Sequence, residues 1–223
     1  MPARFDLVVL DLDGTLVDSE ALLVGMVNET LTTHGHPAAP AAAVAATIGL
    51  PLAEVFRRAL PRTGEPEIAR LSAWYRGRAD ASEFVRQFRL YPGVVDTLAG
   101  LHAVGTRLVV GTSKGRATTI DIVAHCAIDR FIHEVIGGDC VSRGKPHPEM
   151  VERACAQFGA AREQTLMVGD TPFDITMGQA AGVATCAVSY GMHSPESLRA
   201  LGPDFMIDRF AALHDVVTRV GDW

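Results

Sequence analysis

The sequence predicts an α/β protein: a doubly wound, Rossmann-like parallel sheet with an all-helical module inserted near its start. Three features point there. Apolar runs of strand length, rich in Val and Leu and without polar alternation, recur along the chain, as expected of strands covered on both faces. Helix-length segments separate them, the rhythm of βαβ units. Between residues 16 and 88 that rhythm stops, and helical segments follow one another with no convincing buried strand.

The elements follow in order. "DLVVL" (6–10) is the first strand. Segments 19–34, 39–47, 51–60 and 65–80 read as helices, with Asp18 or Ser19 placed to cap the first. "HGHPAAP" and "LPRTGEP" are the turns between them. "YPGV" (91–94) marks the return to α/β rhythm. Helices over 93–104, 115–126, 147–159 and 173–181 then alternate with strands in "TRLVVGTS" (106–113), "TLMVGD" (165–170) and "VATCAV" (183–188). "HEVIG" (133–137) is a weaker strand expected at an edge, and "DFMI" (204–207) is a short strand before a helix of about 209–220. The expected division is a core of 1–15 and 89–223 with a helical cap over 16–88.

With 223 residues the chain can bury a full core as one large domain or as a core with an inserted module. It is 48% hydrophobic and 21% charged, ordinary globular usage. A net charge of -6 argues against nucleic acid or an anionic membrane as a partner. It leaves room for a small anionic substrate, since local charge can outweigh the total. Cys126, Cys140, Cys155 and Cys186 form no C-x-x-C pair, which reads as reduced thiols. The apolar run before Asp11 is too short for a signal-peptide core. The Ala-rich stretch 37–51 is too short to span a bilayer. A cytoplasmic protein is expected, monomer or homodimer, with no membrane partner.

The chemistry lies at the strand ends, because ligands of open parallel sheets bind beyond the carboxyl edge. The first strand runs into Asp11 and Asp13, the second into Thr112 and Ser113, and "TLMVGD" into Asp170, with Asp174 four residues on. Lys145 lies between the last two, in "GKPHP". Four acids on one rim are untenable without a cation, and oxygen-only ligands favour a hard ion such as Mg²⁺. A carboxylate there can attack phosphorus to give an aspartyl-phosphate. A second acid two residues on can serve as general acid and base. Gly14 lets the chain turn away beside Asp13.

"DLDGT", "GTSK", "GKPHP" and "GDTPFD", in that order, resemble the four motifs of the haloacid dehalogenase superfamily, and the helical insert resembles its C1-type cap. The resemblance implies Asp11 as nucleophile and Mg²⁺ ligand. It implies Asp13 as general acid/base, with its carbonyl on the metal. Thr112 and the backbone around Ser113 would bind the phosphoryl group, and Lys145 would bridge that group and Asp11. Asp170 would ligate Mg²⁺ and Asp174 would support the metal site. The dehalogenase branch lacks a carboxylate two residues past its nucleophile, so Asp13 places the resemblance with the phosphatases. "YPGVVDTLAGL" and "GTSK" are similar to the phosphoglycolate phosphatases, with Ser113 where Asn is usual. The implied substrate is phosphoglycolate or a similar small phosphomonoester; a pyrophosphatase or a β-phosphoglucomutase-like sugar-phosphate mutase is the alternative. Lys114 and Arg116 are expected in solvent, and Trp74, Tyr75 and Phe84 in the cap core. Arg57, Arg58, Arg76 and Arg78 are the cap cations available to a substrate carboxylate.

Overall fold

The computed structural model describes residues 4–219. Six parallel strands form the main sheet. In chain order the first elements are β1 (Leu7–Leu10), β2 (Val17–Asp18), α1 (Glu20–Thr33), α2 (Ala41–Ala45), α3 (Leu52–Ala59), α4 (Glu65–Ala79), α5 (Ser82–Val85) and β3 (Arg89–Leu90). Then come α6 (Val94–Ala103), β4 (Arg107–Gly111), α7 (Arg116–His125), β5 (Glu134–Ile136), α8 (Glu149–Phe158) and β6 (Thr165–Gly169). The chain continues through α9 (Pro172–Ala181), β7 (Ala184–Val188), α10 (Pro195–Arg199), β8 (Phe205–Ile207) and α11 (Leu213–Thr218). The order across the sheet is β5-β4-β1-β6-β7-β8. "HEVIG" and "DFMI" thus form the two edges. The expected C-terminal helix is shorter than 209–220: a 3-10 turn over Phe210–Ala212 precedes α11, and position 220 lies outside the described residues.

The unalternated apolar runs are explained by burial on both faces. Leu7 and Val9 point into one layer with Met150, Val151 and Met177. Val8 and Leu10 point into the other with Leu98, Ile122 and Phe210. All four β1 side chains are fully buried, each worth about 1.5–3 kcal/mol in apolar transfer. β1 pairs with β4 on one side and β6 on the other. The chain therefore reverses its direction of travel across the sheet at β1, and the switch point opens at the carboxyl end of this strand.

The stretch from α1 to α5 is helical, as its pattern predicts, but two short strands flank it. β2 and β3 pair antiparallel, Val17 opposite Leu90 and Asp18 opposite Arg89. Tyr91 N donates to Leu16 O at 3.0 Å just beyond. Two-residue strands carry no periodicity, so neither shows in the sequence. They bind the outgoing and returning chains into one ribbon between the helices and the sheet.

Candidate active site

Three strand ends deliver the acids and hydroxyls. Asp11 follows β1, and its N–H extends the ladder to Val168 O at 2.9 Å. Thr112 follows β4, and Asp170 follows β6. Asp174 sits in the first turn of α9, where Thr171 is the N-cap and Pro172 opens the helix. Thr171 N donates to Asp174 Oδ2 at 3.1 Å and Asp174 N donates to Thr171 Oγ1 at 3.4 Å, closing a capping box, and Thr171 Oγ1 also donates to Asp174 Oδ2 at 2.7 Å. That box fixes the rotamer and leaves Oδ1 for Lys145, 2.6 Å away. Lys145 Nζ also lies 2.7 Å from Asp11 Oδ1. Its side chain is completely buried, as is that of Asp174.

Carboxylate oxygens of Asp11, Asp170 and Asp174 all lie within 4.8 Å of one another. One ammonium cannot neutralise three buried acids. Burial, joined by the Asp174 charge, pushes the Asp170 carboxyl up to about 7. Burial pushes Asp11 well above the usual carboxylate range, and Lys145 only partly offsets it against Asp174 and Asp170. Burial works against the Lys145 ammonium too, but the Asp11 and Asp174 carboxylates outweigh it and raise its pKa. Such an all-oxygen cluster with surplus negative charge fits a hard divalent cation. Neutral donors hold Asp170 in place: Thr15 Oγ1 at 3.0 Å and Met192 N at 2.9 Å. Gly14, at φ +80, packs so closely that a Cβ there would overlap the Asp170 carboxylate.

Asp13 is brought to the same rim, but its carboxylate is not part of that cluster. Ser19 Oγ donates to Asp13 Oδ1 at 2.8 Å. Lys114 Nζ lies 3.3 Å from Asp13 Oδ2 and 5.3 Å from the Phe88 ring centre. Two expectations change here. Ser19 occupies the N-cap position of α1 yet makes no capping bond, its hydroxyl being committed to Asp13. Lys114 is not solvated: its side chain is only 9% exposed. Burial opposes its charge, but Asp13 outweighs that and raises its pKa. The sequence marks Ser19 only as a cap and Lys114 only as a surface cation, because both partnerships arise only when the chain folds back over Asp13.

Thr112 is buried with its Oγ1 accepting from Lys114 N at 3.2 Å. Neither Thr112 nor Ser113 caps the following helix, whose N-cap is Gly115. Ser113 Oγ donates instead to Gly49 O at 2.6 Å, joining the sheet rim to the helical module. Thr118 Oγ1 makes a second such link to Asp80. Three of the four cap arginines are held on the surface: Arg57 by Glu54 and Glu65, Arg58 by Glu54, Arg78 by Glu29. Phe84 is buried and Trp74 partly so, as cap core residues are. Tyr75 is buried as well, and it also lines the cavity above Asp11 and Asp13.

Sheet order, rim acids and inserted helices together match one known family. The model of the haloacid dehalogenase-like hydrolases fits residues 8–188. The chain belongs to that family. A phosphoglycolate phosphatase of Cupriavidus necator is 33% identical over 223 residues, covering 95% of this chain and 92% of the relative. Pyrophosphatase PpaX of Halalkalibacterium halodurans is 31% identical, covering 94% and 95%. A crystal structure titled as a predicted phosphoglycolate phosphatase from Haemophilus somnus superposes with a TM-score of 0.84 at 31% identity, covering 96% of this chain and 98% of the other. This family member therefore carries the family's sheet across nearly its full length. Among the described residues no helix is long and apolar enough to cross a membrane.

Proposed function

We propose that this hydrolase is a Mg²⁺-dependent phosphatase that cleaves small phosphomonoesters through an aspartyl-phosphate. The supporting observation is the division of labour on the rim. Asp11, Asp170 and Asp174 crowd around Lys145, while Asp13 is held apart by Ser19 and Lys114. Asp11, Asp170 and the Asp13 carbonyl would hold the ion, with Asp174 in support. When bound, it supplies charge neutralisation for the cluster and for the phosphoryl oxygens.

Asp11 attacks phosphorus through one carboxylate oxygen, and the bond from phosphorus to the alcohol oxygen breaks. Asp13 gives its proton to that departing oxygen. Water then attacks the acyl-phosphate and Asp13 takes its proton. Phosphate leaves and both carboxylates return to their starting state. Thr112 and the backbone beside Ser113 donate hydrogen bonds to the phosphoryl group, and Lys145 offsets its charge. The helices over 16–88 act as a cap that closes over the first transfer and keeps bulk water out.

Asp13 is the feature that favours a phosphatase over a dehalogenase. The relatives' names put phosphoglycolate first, and pyrophosphate second, among short anions to assay. Release of p-nitrophenol from p-nitrophenyl phosphate with Mg²⁺, abolished by EDTA and by Asp11→Asn, is the expected result. No release under either condition would leave a non-catalytic module as the better account.

A further inference from the structure

Helices and sheet border a partly open cavity of about 720 Å³ above Asp11, Asp13 and Thr112. Pockets of that size take drug-sized ligands, far more than a two-carbon ester requires. The floor is polar, but the roof is not. Leu23, Val27, Leu50, Val55, Tyr75 and Ala79 line it from the helical side, and all of them are buried.

A short anionic leaving group would need a cation up there. Among the described residues, Lys114 and Arg76 are the basic side chains lining the cavity. Lys114 is held by Asp13. Arg76 is exposed and shares the open edge with Asp80 and Asp139, both exposed acids. A glycolate carboxylate or a second phosphoryl group beneath the roof would therefore face apolar walls, and an unpaired buried anion is heavily penalised. An uncharged apolar group gains from the same walls. The Tyr75 ring adds an aromatic face.

Resting on the phosphatase reading above, we infer that the preferred substrate is a phosphomonoester whose leaving group is an uncharged alcohol or phenol with a large apolar face. Val27 and Leu23 of α1, Val55 of α3 and Tyr75 of α4 seat that face; phosphorus sits over Asp11.

The test is kcat/KM with Mg²⁺ for 1-naphthyl phosphate, phosphoglycolate and pyrophosphate on the full chain. The naphthyl ester is expected to lead either anion by about tenfold or more, the range a few buried methylenes command. Leu23→Ala and Val55→Ala should each cut kcat/KM for the naphthyl ester roughly tenfold through KM, narrowing its lead over phosphoglycolate; an unchanged ratio in both variants overturns the inference. Arg76→Ala should leave the naphthyl ester unaffected. If truncation unfolds the cap, the wild-type kcat/KM ratio of 1-naphthyl to phenyl phosphate, whose leaving groups are similar in acidity but unequal in apolar area, decides alone: a clear naphthyl lead supports the inference and a ratio near one overturns it. Phosphoglycolate or pyrophosphate outpacing the naphthyl ester overturns the inference and leaves the phosphatase standing. No Mg²⁺-dependent hydrolysis of any of the three removes the phosphatase reading, and this inference with it.

Discussion

Each acid on the rim has its own restraint, and these restraints separate what the side chains can do. Asp13 receives Ser19 Oγ and the Lys114 ammonium and stands outside the carboxylate cluster, and its proposed role is to carry the proton to and from the reacting oxygens. Asp13→Asn removes that proton carrier, so turnover should fall by about 10²–10⁴. Phospho-enzyme, or bound substrate, should accumulate, and acid-quenched mass spectrometry would detect the phospho-enzyme. Full activity in that variant would refute the role. Lys145 answers a different need. It is the ammonium between Asp11 and Asp174, all three buried. Removing one partner from a buried ionic group costs about 3–5 kcal/mol, so Lys145→Ala should lower urea stability by that order in metal-free protein. A loss near zero would mean the cluster relaxes by protonation alone. Gly14→Ala belongs here too: the added carbon meets Asp170, and a positive φ penalises any side chain. Expected is a large loss of Mg²⁺ affinity by calorimetry, with the sheet intact by circular dichroism.

Between residue and molecule stand the elements that carry the helices over the rim. The β2–β3 ribbon ties both connections together, and Ser113 and Thr118 hold the helical module to the sheet through Gly49 and Asp80. Ser113 stands where the resemblance places a phosphate-binding residue, yet its hydroxyl is spent on Gly49 O. Only its backbone is free to meet a phosphoryl group. A single such hydrogen bond is worth about 0.5–1.5 kcal/mol net. Ser113→Ala should therefore loosen the hold of the helical module on the sheet by a small factor, read as faster proteolysis between residues 16 and 88 in substrate-free protein. Unchanged proteolysis would show that this bond does not hold the module in place. The long elements were legible because their periodicity is set by burial. β1 is apolar throughout because both faces are covered, and the helix expected over 173–181 is α9, begun one residue earlier at Pro172. The ribbon strands and α10 are too short to repeat any pattern. Their existence depends on neighbours that the local sequence does not contain.

At the scale of the whole molecule, the acids at strand ends and the Lys145 partner of Asp11 were legible, and the partners of Asp13 were not. A carboxylate directly after a buried apolar strand is costly to bury, and Asp11 and Asp170 at two such ends, with Lys145 and Asp174 in register, together declared the site. Ser19, Lys114 and the cavity roof depend on how a distant segment docks. The cluster's surplus charge also couples folding to pH and to metal. In metal-free protein Asp170 titrates near about 7 when folded, against an ordinary value of 3.8, because burial and Asp174 oppose its charge. Between those values the folded state holds a proton that the unfolded chain has released. Stability from this group therefore falls as pH rises through that window, and the penalty is complete above about 7. Asp11 is shifted the same way, and Lys145, raised from 10.5, stays charged throughout and does not alter the sign. A divalent ion binds only the ionised carboxylates and so cancels the penalty, releasing protons as it binds. At a hundredfold excess over Kd a ligand adds about 2.7 kcal/mol, and competition with protons should shrink that gain in acid. The rise in Tm on replacing EDTA with Mg²⁺ should therefore be larger at pH 8 than at pH 5. A metal-induced rise that is equal at both, or larger in acid, would show that the ion does not sit on Asp11 and Asp170.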